Sequence, residues 1–180
     1  MEKGVRYEII KPLLIWKKIQ KFSDIFKFIP KSPVAETLGK EKGRFDELIK
    51  SPCGLTFGKV DKLCTLFNLT LDEMASLIEP QCSIDKKIDR KKQDPRYEII
   101  GPVFKENLIS SFKDIVTYIP KSVIADDIGK KTDRLDHLLN NIEEFLVKDL
   151  FVIASLCELT LAEIFGLVKA QYMNENNKKT

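Results

Sequence analysis

Few residues of this chain have the types and spacing that enzyme or metal chemistry requires. The four cysteines, Cys53, Cys64, Cys82 and Cys157, show no Cys-x-x-Cys spacing, and His137 is the only histidine. Zinc sites draw on closely spaced cysteine and histidine ligands, so we expect no metal site and four reduced, mostly buried thiols. The sequence also lacks a glycine-rich phosphate loop and a nucleophile motif. We therefore expect neither an enzyme nor a bound cofactor.

The remaining chemistry is that of charged side chains, and their balance changes along the chain. The formal net charge of +3 is too mild to indicate nucleic-acid binding by itself. Residues 1–79 carry 14 basic and 11 acidic side chains, residues 80–95 carry 5 and 3, and residues 96–180 carry 11 and 13. The first half of the chain and the short segment after it are therefore the basic part.

Composition places the chain among globular proteins. Hydrophobic residues make up 43% of the sequence and charged residues 32%. No apolar run reaches the length of about 18 residues that a membrane span needs. The charged N-terminus, residues 1–11, lacks the apolar core of a signal peptide. We therefore expect a cytoplasmic protein without membrane contact.

The strongest pattern is an internal repeat, because the sequence shifted by 90 residues matches itself without a gap. Over residues 6–79, 26 of 74 positions are identical to their counterparts. The segment RYEII at 6–10 recurs at 96–100, and IPKS at 29–32 recurs at 119–122. Two copies are too few for a solenoid. We expect two tandem domains, at residues 1–79 and 96–172.

The segment between the copies, residues 80–95, has the composition of a linker. It is polar and bounded by prolines, and it contains the basic run KKIDRKK at 86–92. That run could form an arm that contacts DNA phosphates or the minor groove. A solvated linker is the simpler interpretation. The polar residues 173–180 predict a disordered tail.

Within each copy the hydrophobic spacing predicts about five short helices. In the first copy they cover roughly 22–29, 33–38, 42–50 and 56–67, and a last helix starts near Thr70. Ser32 is expected to be the N-cap of the second helix. Thr70 and Glu73 form a capping-box pattern that recurs as Thr160 and Glu163. Residues 6–20 predict a helix restarted at proline or, alternatively, a short strand at 7–10. Core packing is favoured over base stacking for Phe22, Phe26, Phe28, Phe45, Phe57 and Phe67.

The second and third predicted helices of each copy have a characteristic spacing. A small residue is followed four positions later by glycine, and apolar residues follow six and nine positions after that glycine. A small residue lets two helices cross closely, and glycine adopts the left-handed backbone of a tight turn. The residues are Ala35, Gly39, Phe45 and Leu48 in the first copy and Ala125, Gly129, Leu135 and Leu138 in the second.

This spacing, together with the helices predicted after it, resembles the phage-repressor-like helix-turn-helix family of Cro and lambda repressor. The resemblance covers residues 22–78 and 112–168. It implies an all-α fold of two tandem repressor-like helix-turn-helix domains. In that family the third helix enters the major groove, and the start of the second helix meets phosphates. The resemblance therefore implies a transcriptional regulator with double-stranded DNA as its partner; homodimerisation stays open.

Carried over residue by residue, the resemblance implies a DNA-binding surface in each copy. His137 is a candidate donor to a base or a phosphate, although an ordinary exposed helix histidine is an equal alternative. Arg44 and Arg134 are expected to reach outward, because an aspartate two positions away does not pair along a helix. The first-copy residues are Lys31, Ser32, Lys40, Lys42, Gly43, Arg44 and Lys50. The second-copy residues are Lys121, Ser122, Lys130, Lys131, Thr132, Arg134, His137 and Asn140.

Acidic side chains on the same helix faces oppose this interpretation. Asp46, Glu47, Asp133 and Asp136 would approach a groove lined by phosphates, against the electrostatic attraction that dominates DNA affinity. The alternative is a protein-interaction or structural module that has the helix-turn-helix fold but does not read DNA. If DNA is the partner, we expect the basic first copy to dominate binding and the second to serve dimerisation or partner contact.

Overall fold

The computed structural model describes residues 7–82 and 94–177, and within them the regular secondary structure is helical, without a β-strand. The all-α prediction is therefore confirmed for the described part of the chain. The chain divides into two compact units, Met1–Ser83 and Ile84–Thr180. Each unit contains one copy of the repeat.

The first unit is built from short helices joined by tight turns. Its α-helices are α1 (Ile10–Ile15), α2 (Lys31–Thr37), α3 (Lys42–Lys50), α4 (Phe57–Phe67) and α5 (Leu71–Ile78). Single 3₁₀ segments at Phe22–Lys27, Pro52–Gly54 and Glu79–Gln81 connect or extend them.

The second unit follows a similar order, with an α-helix in place of the 3₁₀ segment at Phe22–Lys27 and a longer last helix in place of the one at Glu79–Gln81. Its α-helices are α6 (Tyr97–Lys105), α7 (Phe112–Tyr118), α8 (Lys121–Asp127), α9 (Thr132–Asn140), α10 (Val147–Leu156) and α11 (Leu161–Asn177). A 3₁₀ segment at Ile142–Glu144 joins α9 to α10.

The core of each unit follows the predicted hydrophobic spacing. In α4 all five predicted positions are buried, and in α3 Phe45 is completely enclosed. Phe28 is an exception to the predicted aromatic core, since 42% of it is exposed. The chain turns at Pro30, and the neighbouring Ile29 takes the buried position instead. The α4 residues are Phe57, Val60, Leu63, Cys64 and Phe67.

Local signals set the helix ends, with one correction. Thr70 caps α5 by accepting a hydrogen bond from the Glu73 amide, and the Glu73 carboxylate accepts from the Thr70 amide, which confirms the capping box. The N-cap role of Ser32 is wrong, because α2 begins at Lys31, two residues before its predicted start and directly after Pro30. A proline fits this place, since it has no N–H and a helix start leaves its first N–H groups unpaired. Ser122 likewise lies inside α8.

The chain before residue 20 is helical at α1, so the alternative of a short strand at 7–10 is wrong. The boundaries around the repeat also differ from those predicted. Residues 80–82 belong to the first unit rather than to a linker, and α11 continues to Asn177 where a disordered tail was predicted. The basic run at 86–92 and residues 178–180 lie outside the described residues.

A glutamine fastens the last helical segment of each unit to the end of the third helix. In the first unit the Gln81 side-chain amide donates to the carbonyls of Ile49 and Lys50, at 3.1 and 3.2 Å. In the second unit Gln171 donates to the Leu139 carbonyl at 2.7 Å. These carbonyls end a helix and have no partner within it. The 90-residue offset therefore extends to Gln81 and Gln171, two positions beyond the range compared in the sequence.

A disulfide joins Cys53 and Cys82, whose Cα atoms are 5.7 Å apart. The expectation of four reduced thiols is wrong for this pair, because Pro80 bends the chain after α5 and brings Cys82 back to the 3₁₀ segment after α3. Cys64 and Cys157 are buried thiols outside this disulfide, as expected. Disulfides are typical of oxidising compartments and rare in the cytoplasm, so this bond does not favour the cytoplasmic location, which stays a prediction.

An aspartate caps the element before α2 and its counterpart before α8. Asp114 Oδ2 accepts hydrogen bonds from the backbone amides of Ser110 and Ser111, both at 2.8 Å. Asp24 does the same for Gln20 and Lys21. Burial raises the pKa of Asp114, but the hydrogen bonds from Ser110 and Ser111 outweigh it and hold the pKa below its ordinary value.

Replacing Asp114 with alanine is expected to lower the free energy of unfolding by about 1–2 kcal/mol at neutral pH. A lowered folded-state pKa gives stability that is complete above the unfolded value of about 3.9 and is lost as pH falls through the folded value. Denaturant unfolding of the wild type and Asp114→Ala should therefore differ at neutral pH and converge in acid. Asp126→Ala, which removes an exposed carboxylate, is the control. An equal loss in both variants would contradict the role of Asp114.

Candidate functional site

In both units the predicted recognition region is a short helix, a glycine turn and a second helix. Gly39 and Gly129 have positive φ angles of 61° and 65°, and the next amide, of Lys40 or Lys130, returns to the carbonyl of Ala35 or Ala125. Left-handed backbone of this kind favours glycine. The predicted turn is therefore present, and α3 and α9 begin immediately after it.

An ion pair connects the two helices in each unit. Lys31 Nζ lies 2.6 Å from Asp46 Oδ1, and Lys121 pairs with Asp136 in the same way. Two of the four acidic residues that oppose DNA binding are therefore neutralised by a lysine of the preceding helix. The same pairs compete with the predicted phosphate contacts of Lys31 and Lys121.

In the second unit one carboxylate binds two of the predicted DNA contacts. Glu144 Oε2 lies 3.2 Å from Arg134 Nη2 and 3.0 Å from His137 Nε2. The hydrogen bond from His137, with a further contribution from Arg134, lowers the pKa of Glu144. The expectation that Arg134 reaches outward without a partner is therefore wrong. Its partner lies ten positions along the chain, in the 3₁₀ segment that follows α9.

The first unit lacks this carboxylate. Gly54 occupies the position that corresponds to Glu144, and Glu47 occupies that of His137. Arg44 is exposed and forms no ion pair with any residue in 7–82 or 94–177, in agreement with the expectation for this arginine. Among the described residues, therefore, Arg44 of the first unit has no ion pair, whereas the corresponding Arg134 is paired in the second.

A second charge difference lies beside the turn. Lys130 Nζ is 2.8 Å from Asp149 Oδ2, and the Asp149 side chain is only 4% exposed. The corresponding residues in the first unit are Lys40 and Lys59, which are both basic. Burial and the neighbouring Lys40 and Lys62 lower the pKa of Lys59. Lys130 is thus engaged inside its unit, whereas Lys40 faces another lysine.

The other predicted site residues lie on the surface, which leaves them accessible to a partner. For Lys42 the helical backbone is described, and its side chain lies outside the described part. A side chain added at Gly43 would meet no atom within 4 Å, so this position is open. The exposed residues are Ser32, Gly43, Lys50, Ser122, Lys131, Thr132 and Asn140.

Sequence reasoning missed Lys59, Glu144 and Asp149, which determine how the predicted basic residues are paired. The available signal was the repeat itself. At 54/144 and 59/149 the side-chain charge differs between the copies, whereas the basic residues they affect are identical. Comparing the copies for changes of charge, and not only for identity, would have found them.

The described residues hold neither a metal-binding cluster nor a single membrane-spanning helix. They contain no group of three His, Cys, Asp or Glu side chains placed to hold a metal ion. No single helix among them has the length and hydropathy of a membrane span; α10 and α11, bent by 114°, pass only when taken together. No protein-family model matches this chain, and no curated protein or solved structure was found to be similar to it.

Proposed function

We propose that this protein is a DNA-binding transcriptional regulator with two tandem repressor-like helix-turn-helix domains, of which the first makes the stronger contact with double-stranded DNA. The observation that carries the proposal is the exposed start of α3 after the Gly39 turn, with Arg44 free of any intramolecular ion pair in the described part of the chain. Free guanidinium groups bind phosphates and guanine edges.

The ion pairs support this proposal by removing part of the electrostatic objection to it. Asp46 and Asp136 are held by Lys31 and Lys121 and present a neutralised pair rather than a bare carboxylate to a phosphate-lined groove. Glu47 and Asp133 stay exposed and still oppose binding. A modest and salt-sensitive affinity is therefore expected.

The pairing of Arg134 and His137 with Glu144 favours a second role for the second unit. Half of its eight candidate contacts are occupied internally, so dimerisation or contact with another protein suits it better than groove reading; the occupied residues are Lys121, Lys130, Arg134 and His137. In the extreme form of this alternative neither unit binds DNA, and the whole chain is an interaction module.

Arg44→Ala is expected to weaken binding to random-sequence duplex DNA about tenfold, the order of one lost charged contact. Arg134→Ala is the matched control, and it should change affinity much less because Arg134 is already paired. Fluorescence anisotropy of a labelled duplex, measured over a series of salt concentrations, gives both affinities. Wild-type affinity should fall steeply with salt.

Two outcomes would count against the proposal. Absence of wild-type binding at low salt would overturn the DNA-binding function and favour the interaction module. Equal losses in Arg44→Ala and Arg134→Ala would leave DNA binding in place but refute the greater role of the first unit.

A further inference from the structure

Beside the turn before α3 the first unit has two lysines, where the second unit has a lysine and an aspartate. Lys130 and Asp149 form an ion pair at 2.8 Å in the second unit, with 18% and 4% of their side chains exposed. The first unit keeps the lysine as Lys40 but has Lys59 in place of the aspartate.

The backbone at these positions is the same in both units. The amides of Lys40 and Lys130 donate to Ala35 and Ala125, at 2.9 and 2.7 Å. Lys59 is the third residue of α4, as Asp149 is of α10, and both amides return to the residue before the helix at 3.0 Å. Residues 40 and 59 therefore face each other as 130 and 149 do.

Neither Lys40 nor Lys59 forms an ion pair with a described residue of the first unit, although the exposed Glu41 adjoins Lys40 in the chain. The first turn of α4 holds no acidic residue. In the second unit Asp149 provides the negative charge that the first turn of a helix favours. No side chain caps the N-terminus of α4, and the positive end of its helix dipole favours an anion there.

We propose that Lys40 and Lys59 bind one phosphate group between their ammonium groups, at the place where the second unit has its own carboxylate. This proposal rests on the DNA-binding function for the source of that phosphate, which is a backbone phosphodiester. Two lysines beside a helix N-terminus bind phosphate through charge-assisted hydrogen bonds and the helix dipole. Like-charge repulsion between them is relieved when the anion enters.

The proposal is tested first with inorganic phosphate and the full chain. Lysine side-chain NMR signals of Lys40 and Lys59 should shift together during a phosphate titration, with one dissociation constant. The Lys130 signal should not move, because Asp149 occupies its site. In Lys59→Gln the response of Lys40 should be lost or reduced several-fold.

The second arm uses random-sequence duplex DNA and the variant Lys59→Asp, which builds the ion pair of the second unit into the first. Its melting temperature should rise, because Lys40 gains a partner. The slope of log affinity against log salt should fall by about 1, the amount expected for one lost phosphate contact. Lys18→Asp, the same charge change on an exposed residue of the first unit, is the control and should change the slope less.

The outcomes separate this proposal from the DNA-binding function. Phosphate-induced shifts without DNA binding by the wild type would support the anion site, with free phosphate as its ligand, and overturn the DNA function. DNA binding that responds equally to Lys59→Asp and Lys18→Asp would overturn the site and leave the function standing. Absence of both phosphate shifts and DNA binding would overturn both.

Discussion

Removal of the disulfide between Cys53 and Cys82 is expected to lower the free energy of unfolding of the first unit by about 3–4 kcal/mol. The bond closes a loop across a sequence separation of 29 residues, and the loss of unfolded-chain entropy for a loop of that size gives this magnitude. It is one of the largest effects expected from a change at a single site in this chain.

The architecture of the first unit explains why this bond matters. Its last helix, α5, ends at Ile78, and Pro80 follows, whereas α11 of the second unit runs on to Asn177. The second unit also has no cysteines at the corresponding positions, which are Glu143 and Tyr172. In the first unit the disulfide therefore holds the segment after α5, whereas in the second unit the corresponding segment is part of α11.

Amide hydrogen exchange of the full chain gives the measurement, with and without a reducing agent. Protection in α4 should fall on reduction and in Cys53→Ser/Cys82→Ser, while protection in α10 of the second unit serves as the internal control. The reducing agent should have no effect on the double variant. Unchanged protection of α4 in the reduced wild type would refute the stabilising role of the bond.

Substitution of Asp149 by asparagine is expected to destabilise the second unit by about 3 kcal/mol. Lys130 and Asp149 are mostly enclosed, with 18% and 4% of their side chains exposed, so the variant leaves a largely buried ammonium group without its counter-charge. Removing one partner of a buried pair costs more than replacing both, because the remaining charge is desolvated without compensation.

The double variant Lys130→Met/Asp149→Leu tests this reasoning. It replaces both charges by apolar groups and should recover most of the stability lost in Asp149→Asn. Denaturant unfolding followed by hydrogen exchange in α10 measures both, and α4 of the first unit should be unaffected. A double variant as unstable as Asp149→Asn would show that packing around Asp149, rather than its charge, is what matters.

Several features set by near neighbours in the sequence were predictable, although the N-cap at Ser32 was not. The limits of α3 at 42 and 50, the capping box of Thr70 and Glu73 and the left-handed backbone at Gly39 all match the predictions. Each of these features depends on residues within one or two helical turns, where backbone geometry and hydrogen bonding follow directly from residue type.

Charge pairing was only partly predictable, because it joins positions that are distant in sequence. The exposed arginine Arg44 agrees with its prediction, whereas its counterpart Arg134 is paired with Glu144 in the next segment. The spacing rule for helix surfaces excluded a pair with the neighbouring aspartate correctly, but it says nothing about a carboxylate beyond the helix end.

The ion pairs that occupy basic residues of the candidate site join positions distant in sequence, so spacing rules alone do not predict them. By itself the sequence determined the repeat, the helices, the turns and the basic character of the first copy. Only the tertiary structure decided which charges remain available to a partner. Lys121 meets Asp136 across 15 residues, Cys53 meets Cys82 across 29, and Gln171 meets the Leu139 carbonyl across 32. Such partners are set by the packing of whole helices, and helix packing depends on many side chains at once rather than on local spacing.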